Sequence, residues 1–325
     1  MSGEPSGMLQ LRDSEEVVTE YPIDSWFVEP GADSPNFFQV TVDHISRAGA
    51  IEGRVHVPDT YSSEWTVLPE TVAVGLAGTE FISKCDACGC EEASPVGVRH
   101  GLTMQRCADC GLVYTSPRPS QSDVLIRYNE DYFHDEYLVS QEETPAQVQH
   151  WDNLLNLVDD YQYRGASLFE IGFGGGGLLE RARVRGWDAS GSDVNAAAVK
   201  YAQDRGLRAH HENVDEIHAL SEQHDCVISE MSLEHMRYPR HAIELAADSL
   251  RPGGCLLVYT VCSEGRSFRE EGMASYLVGP AEHLFLFSAD SLTRMATAAG
   301  LELKSVWVSP SGDDVGFLAT KPLGS

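Results

Sequence analysis

Residues 169–182, FEIGFGGGGLLERA, place five glycines between an apolar run and a stretch with helical spacing. Glycine carries no Cβ, so a turn built this way lets a ligand touch the main chain. The helix behind it offers unpaired N–H groups to an anionic group. By itself the loop has two readings, a ligand cradle or a tight strand-to-helix connection, and the next segment weighs between them. Asp193 ends the following strand-like run 21 residues beyond Gly172. A carboxylate there accepts the hydroxyls of a ribose, although both Asp193 and Asn195 also suit a helix N-cap. Together the loop and the acid predict a nucleoside-bearing cofactor, a geometry that nicotinamide enzymes share.

Outward from the loop, strand-like and helix-like stretches alternate from 166 to 320: SLFEIG, DASGSD, LRAHH, DCVISE, GCLLVYT, LKSVWVS and GFLAT. Alternation at these lengths predicts an α/β fold with a parallel, doubly wound sheet. Only PSGDD and Val315 separate the last two stretches, which predicts an antiparallel hairpin at one edge.

Upstream, Cys85-x2-Cys88 and Cys107-x2-Cys110 leave 18 residues between Cys88 and Cys107. Four thiolates in two such knuckles close a tetrahedral site without an open position, the pattern of structural zinc, and Cys90 is a possible substitute ligand. Disulfides are the weaker reading, because the start MSGEPSGMLQLRDSEE lacks the basic and apolar regions of a secretion signal. That start, and the absence of an apolar run long enough to cross a bilayer, predict a cytoplasmic protein.

The boundaries expected are an acidic β-rich segment at 1–80, a zinc ribbon at 81–120, a helical connection at 121–163 and the α/β domain at 164–325. The 23 basic and 50 acidic residues give a net charge of −27, which repels nucleic acid and anionic lipid and favours a small-molecule substrate. Within the ribbon, Lys84, Arg99, Arg106 and Arg118 are balanced by Asp86, Glu91, Glu92 and Asp109. No basic face emerges.

FEIGFGGGG, GSDVNAAAVKYA, DCVISEMSLEHM and LRPGGCLLVYT resemble, in order and spacing, the successive motifs of the class I S-adenosylmethionine-dependent methyltransferases. The resemblance covers roughly 166 to 320 and implies a Rossmann-like seven-stranded sheet with an antiparallel last strand. It implies that Glu170, Gly172, Gly174 and Gly176 hold the methionine end of S-adenosylmethionine, that Asp193 holds the ribose, and that Glu230 joins the cofactor site. Asn213 stands where the family often has an aspartate beside the adenine. The segment CADCGLVYTSPRPS…YNEDYF resembles the ribbon that leads bacterial methyltransferases of cell-envelope and secondary metabolism, nucleotide-sugar C-methyltransferases among them. The implied activity is methylation of a sugar or secondary metabolite at carbon or oxygen.

Substrate sites of such sheets lie beyond the C-terminal strand ends. EMSLEHMRYP supplies Glu230, Glu234 and His235 there, and GPAEHLFLFS supplies Glu282 and His283. A histidine can take the acceptor's proton as the methyl arrives, and His283 is favoured over His235 because its loop is long. Either imidazole has a structural reading too, as a partner for a loop carbonyl. Tyr128, Tyr132 and Tyr137 are further candidate substrate contacts. Two rival functions stay open: an RNA or protein methyltransferase that docks its substrate on the ribbon, and a catalytically silent cofactor-binding protein that recruits partners.

Overall fold

The computed structural model describes residues 81–99, 102–119, 144–161, 163, 165–212, 222–280 and 282–324, together with short strands inside 8–67. Those strands are β1 (Met8–Arg12), β2 (Val18–Pro22), β3 (Trp26–Phe27), β4 (Gln39–Val40), β5 (Glu52–Pro58) and β6 (Trp65–Val67). Four of them form an antiparallel sheet ordered β2-β1-β5-β6. The expectation of β structure near the N-terminus agrees with this. Asn213, Tyr128, Tyr132 and Tyr137 lie outside the described residues.

In the cysteine segment, β7 (Ala93–Arg99), β8 (Leu102–Cys107) and β9 (Val113–Thr115) pair antiparallel. Helix α1 (Pro145–Val158) follows, started by a reciprocal capping box between Thr144 and Gln147 and by Pro145 in its first turn. Its buried residues Trp151, Leu154, Leu155 and Val158 recur at helical spacing and pack on Phe173, Leu178 and Leu179. A Cβ at Gly177 would run into the Trp151 indole, so one of the five glycines serves the packing of α1 rather than a ligand.

The α/β domain then runs β10 (Ser167–Ile171), α2 (Gly177–Val184), β11 (Asp188–Asp193), α3 (Ala196–Asp204), β12 (Arg208–His211), β13 (His224–Glu230), α4 (Pro239–Ser249), β14 (Leu250–Val261), α5 (Arg266–Glu271), β15 (Phe285–Leu286), α6 (Ala289–Ala298), β16 (Glu302–Val308) and β17 (Asp314–Thr320). Seven strands form one sheet in the order β12-β11-β10-β13-β14-β17-β16. Helices cover both faces of its centre, so β13 is buried along nearly its whole length, while the edge strand β16 has no fully buried position. The hairpin lies at an edge as expected. Its last strand, β17, inserts between β14 and β16 and runs antiparallel to both.

The cysteine segment does not stand apart from this domain. Strand β15, on the loop after β14, adds to β9 and completes a four-stranded sheet ordered β15-β9-β8-β7. Cys85, Cys107, Cys110, Leu112 and Tyr114 share one apolar cluster with Phe169, Val227, Leu256, Phe285 and Phe287. Burying that seam holds the ribbon against the carboxyl ends of the sheet's strands.

Candidate active site

The glycine loop leaves β10 in left-handed backbone, with φ of 73° at Gly172, 53° at Gly174 and 76° at Gly176. Residues with a Cβ resist that region. At Gly172 a Cβ would also come within 2.6 Å of the Ser232 Cβ, whereas at Gly174 it would meet nothing within 4 Å. The loop is thus tight toward β13 and open at its crest. Asp193 ties the crest down: its Oδ2 accepts the Gly174 N–H at 2.9 Å and its Oδ1 the Asn195 N–H at 2.8 Å. The cap of α3 is Asn195, whose Oδ1 accepts the Ala198 N–H at 2.9 Å. The carboxylate of Asp193 thereby joins the crest of the loop to the cap residue of α3 without itself being the cap.

Beneath the loop Glu170 is 2% exposed, and its Oε2 has no hydrogen-bond partner among the described residues. Burial, then the neighbouring carboxylates Glu230 and Asp193, push its pKa well above the usual range. Burial likewise raises Asp193. An open loop crest above a buried carboxyl with one unpaired oxygen among the described residues, and two further acids beside it, suits a cationic ligand. Glu230 is also held from the other side, since its Oε1 lies 3.0 Å from Nε2 of His150 on α1, whose ring packs 4.9 Å from that of Tyr259. Glu230 raises the His150 pKa. His150 carried no sequence signal, because only the fold brings residues 80 positions apart together.

The two predicted histidines meet. His235 sits in a single 3-10 turn after β13, His283 sits before β15, and their ring centroids are 4.8 Å apart. Each Nδ1 bonds a main-chain carbonyl, His235 with Glu282 at 2.9 Å and His283 with Leu277 at 2.8 Å. A carbonyl only accepts, so the proton of each neutral ring sits on Nδ1 and Nε2 is the basic nitrogen. The structural reading is met at Nδ1 of each ring, and the chemical reading concerns the other nitrogen. Burial pulls the His235 pKa below its ordinary value, which keeps the ring neutral at neutral pH. The turn is entered through Met231, the one non-glycine with positive φ (46°) among the described residues, a strained position beside the site.

The cysteines also converge. Cys85 Sγ and Cys110 Sγ are 3.5 Å apart, as are Cys88 Sγ and Cys107 Sγ, and all four sulfurs lie within 4.8 Å of one another. Sulfurs tetrahedral about zinc at their usual bond length would be about 3.8 Å apart. Gly89 and Gly111, at φ of 75° and 73°, turn the two knuckles. Cys90 points elsewhere, toward the main chain of Glu92. Without a cation the thiols compete for protons: Cys110 draws Cys85 down to about 5 and is itself pushed up in return. The donor set is soft, closed and suited to zinc.

The sequence model of a family described as a methyltransferase domain matches residues 141–306. The chain is similar to the ubiquinone biosynthesis O-methyltransferase of Dinoroseobacter shibae, 29% identical over 153 residues that make up 43% of this chain and 61% of that protein. The corresponding enzyme of Azoarcus sp. is 28% identical over 155 residues, 44% of this chain and 66% of that protein. The chain therefore spans less than two thirds of the length of these relatives. Magnesium protoporphyrin IX methyltransferase of Synechocystis PCC 6803, solved with bound S-adenosylhomocysteine, superposes with a TM-score of 0.50 at 14% identity, covering 62% of this chain and 100% of that one. At that identity the likeness speaks for the fold. Because the match spans α1, the glycine loop, Asp193 and the strands from β10 into β16, the chain belongs to the class I S-adenosylmethionine-dependent methyltransferases.

Proposed function

We propose that this methyltransferase methylates a small molecule, a sugar or secondary metabolite, with His283 and His235 as the candidate proton acceptors and a structural zinc in the ribbon. The observation that carries the reading is the pair of imidazoles 4.8 Å apart, each with its Nε2 in the basic form, on the loops after β13 and β14 where substrates of such sheets lie. The cofactor supplies an electrophilic methyl on a sulfonium. Glu170, Gly172, Gly174 and Gly176 are assigned to its methionine end, Asp193 to the ribose and Glu230 to the rim beside His150. The acids offset the cofactor's positive charge, and a histidine Nε2 takes the acceptor's proton as the new bond to the methyl forms. The relatives' O-methyltransferase names favour oxygen over carbon as the accepting atom.

The ribbon belongs to the same reading as a wall of the substrate side, with the division 1–80, 81–120, 121–163 and 164–325 retained. Its cations turn inward or are paired. Arg99 donates to the carbonyls of Met273 and Ser275, Arg106 to that of Ser263, and Lys84 pairs with Glu91. That pattern favours a small-molecule acceptor over nucleic acid. Among the described residues no helix is long and apolar enough to cross a membrane.

The test is methyl transfer from labelled S-adenosylmethionine to a panel of hydroxylated small molecules by the purified chain. His283→Ala and His235→Ala are expected to lower kcat at least about tenfold with little change in cofactor Kd. Wild-type turnover in both variants would remove the histidines from the reaction.

A further inference from the structure

Arg118 follows closely on β9, and its side chain is fully buried at 2% exposed. The ribbon fixes where that side chain starts: the Ser116 N–H donates to the carbonyl of Thr103 at 2.9 Å, and Ser116 Oγ accepts the Ile82 N–H at 3.1 Å. From there the guanidinium reaches two other segments. Nη2 donates to Oδ2 of Asp86, inside the first cysteine knuckle, at 2.7 Å, and Nη1 donates to the carbonyl of Arg237, just past His235. The central carbon of the guanidinium lies 5.3 Å from the ring centroids of both Tyr238 and Phe285. Phe285 stands just past His283. One side chain thus touches the ribbon and the chain immediately downstream of both histidines.

Stability alone does not account for such a residue. Desolvating a guanidinium is offset only in part by one carboxylate and one carbonyl, and Arg118 Nε has no hydrogen-bond partner among the described residues. An apolar side chain of similar volume generally fills such a place at no loss of stability. What only the arginine supplies is a rigid fork with donors that diverge toward two acceptors and a flat face that packs on aromatic rings. We propose that Arg118 is a positioning residue for proton transfer, clamping the segments that carry His235 and His283 in fixed relation to each other and to the cysteine ribbon. It acts through the Arg237 carbonyl and the rings of Tyr238 and Phe285, not on the reacting atoms. The inference rests on the reading of the histidines as proton acceptors, for which placement within about 1 Å decides as much as about a hundredfold in rate.

The experiment compares the full zinc-loaded chain with Arg118→Lys and Arg118→Met, titrating the His235 ring by NMR and measuring turnover on the small molecule that the wild type methylates fastest. The His235 ring is flanked by Glu234 in its own turn and by Glu282 and His283 on the facing loop, and burial holds its pKa down. A loosened clamp admits water, so the titration should move up toward the ordinary imidazole value in both variants. Turnover should fall at least about tenfold in Arg118→Met and several-fold in Arg118→Lys, with little change in the Kd of S-adenosylhomocysteine. Lysine keeps the charge and loses the fork, so a shift in that variant reads geometry. Changes confined to Arg118→Met would assign the effect to charge and overturn the clamp, as would an unchanged His235 titration in both folded variants. Thermal melts report the fold, and should Arg118→Met not fold, the lysine variant decides alone. A shifted titration with wild-type turnover would leave the clamp standing and remove the histidines from the reaction.

Discussion

The N–H of Thr115 donates to the carbonyl of Leu284 at 2.8 Å, and its hydroxyl donates to the carbonyl of Pro280 at 3.0 Å. One ribbon residue therefore pins the loop on both sides of His283. Ser288 Oγ bonds the carbonyl of Cys110 at 2.5 Å and Ser263 Oγ that of Gly111 at 3.0 Å, so the second cysteine knuckle is tied to the same region. Geometry at the cysteines is transmitted to the histidines through main-chain bonds and not through a flexible linker.

Opening the cysteine cluster should consequently slow catalysis from a distance. Cys107→Ser is expected to lower the melting temperature and to reduce kcat at least about tenfold, with a smaller change in cofactor affinity because the glycine loop lies in a different apolar cluster. Thr115→Val keeps the N–H bond and removes only the hydroxyl, worth about 1 kcal/mol, so its effect on kcat should be several-fold. Turnover that survives Cys107→Ser intact while the ribbon melts separately would show that the two parts are not coupled.

Asp193 carries a divided duty, and two substitutions separate its parts. Asp193→Asn preserves one acceptor oxygen for the loop or Asn195 N–H and removes the charge, whereas Asp193→Ala releases both Gly174 and Asn195. With about 1.5–3 kcal/mol for a hydrogen bond to a charged group, alanine should weaken binding of S-adenosylhomocysteine roughly ten- to hundredfold by calorimetry. Asparagine should weaken it less. Equal affinity in wild type and alanine variant would take Asp193 out of the cofactor site.

These assignments separate into what local pattern reveals and what it hides. Gly172, Gly174, Asp193 and the four cysteines are legible because a turn and its ligand chemistry are encoded within a few residues of each other. The parallel run of the central strands follows from alternation of helix and strand. By contrast, the pairing of Phe285 with Tyr114 has no local signature, so the ribbon reads from sequence as a separate module. Glu234 was visible as an acid in LEH, yet polar patterning places a glutamate outward, and only the packing around β14 shows it fully buried against Thr260.

Cofactor binding should be linked to a proton on Glu170. Its pKa is raised by burial and by Glu230 and Asp193, so the empty site holds a proton at pH values where a free carboxyl is ionised. A cationic ligand favours the ionised form, so binding should release that proton, and affinity for S-adenosylmethionine should rise with pH across this window. The stability of the empty protein has the opposite slope. The contribution of Glu170 is full below the ordinary carboxylate pKa and is lost as pH rises through the raised value. Calorimetry in buffers of different ionisation enthalpy reads the released proton directly. Glu170→Gln should abolish the release, and an unchanged proton count in that variant assigns the linkage to another group.

The contact of His150 with Glu230 predicts a pH effect of its own on helix α1. Because the imidazole pKa is raised by Glu230, the attraction is complete below the ordinary histidine pKa and fades as pH climbs through the raised one. His150 is 33% exposed, so solvent screening limits the effect to a fraction of a kcal/mol. The burial of Trp151, Leu154, Leu155 and Val158 keeps the helix docked throughout. Amide exchange near the start of α1 should still be faster at pH 8.5 than at pH 6 after correction for intrinsic rates, and His150→Gln should flatten the difference. Bound cofactor should flatten it as well if Glu230 lies at its rim, since the cofactor's cationic end would then compete with the imidazole for the same carboxylate. A pH difference that persists unchanged in the cofactor complex argues that Glu230 serves the helix alone.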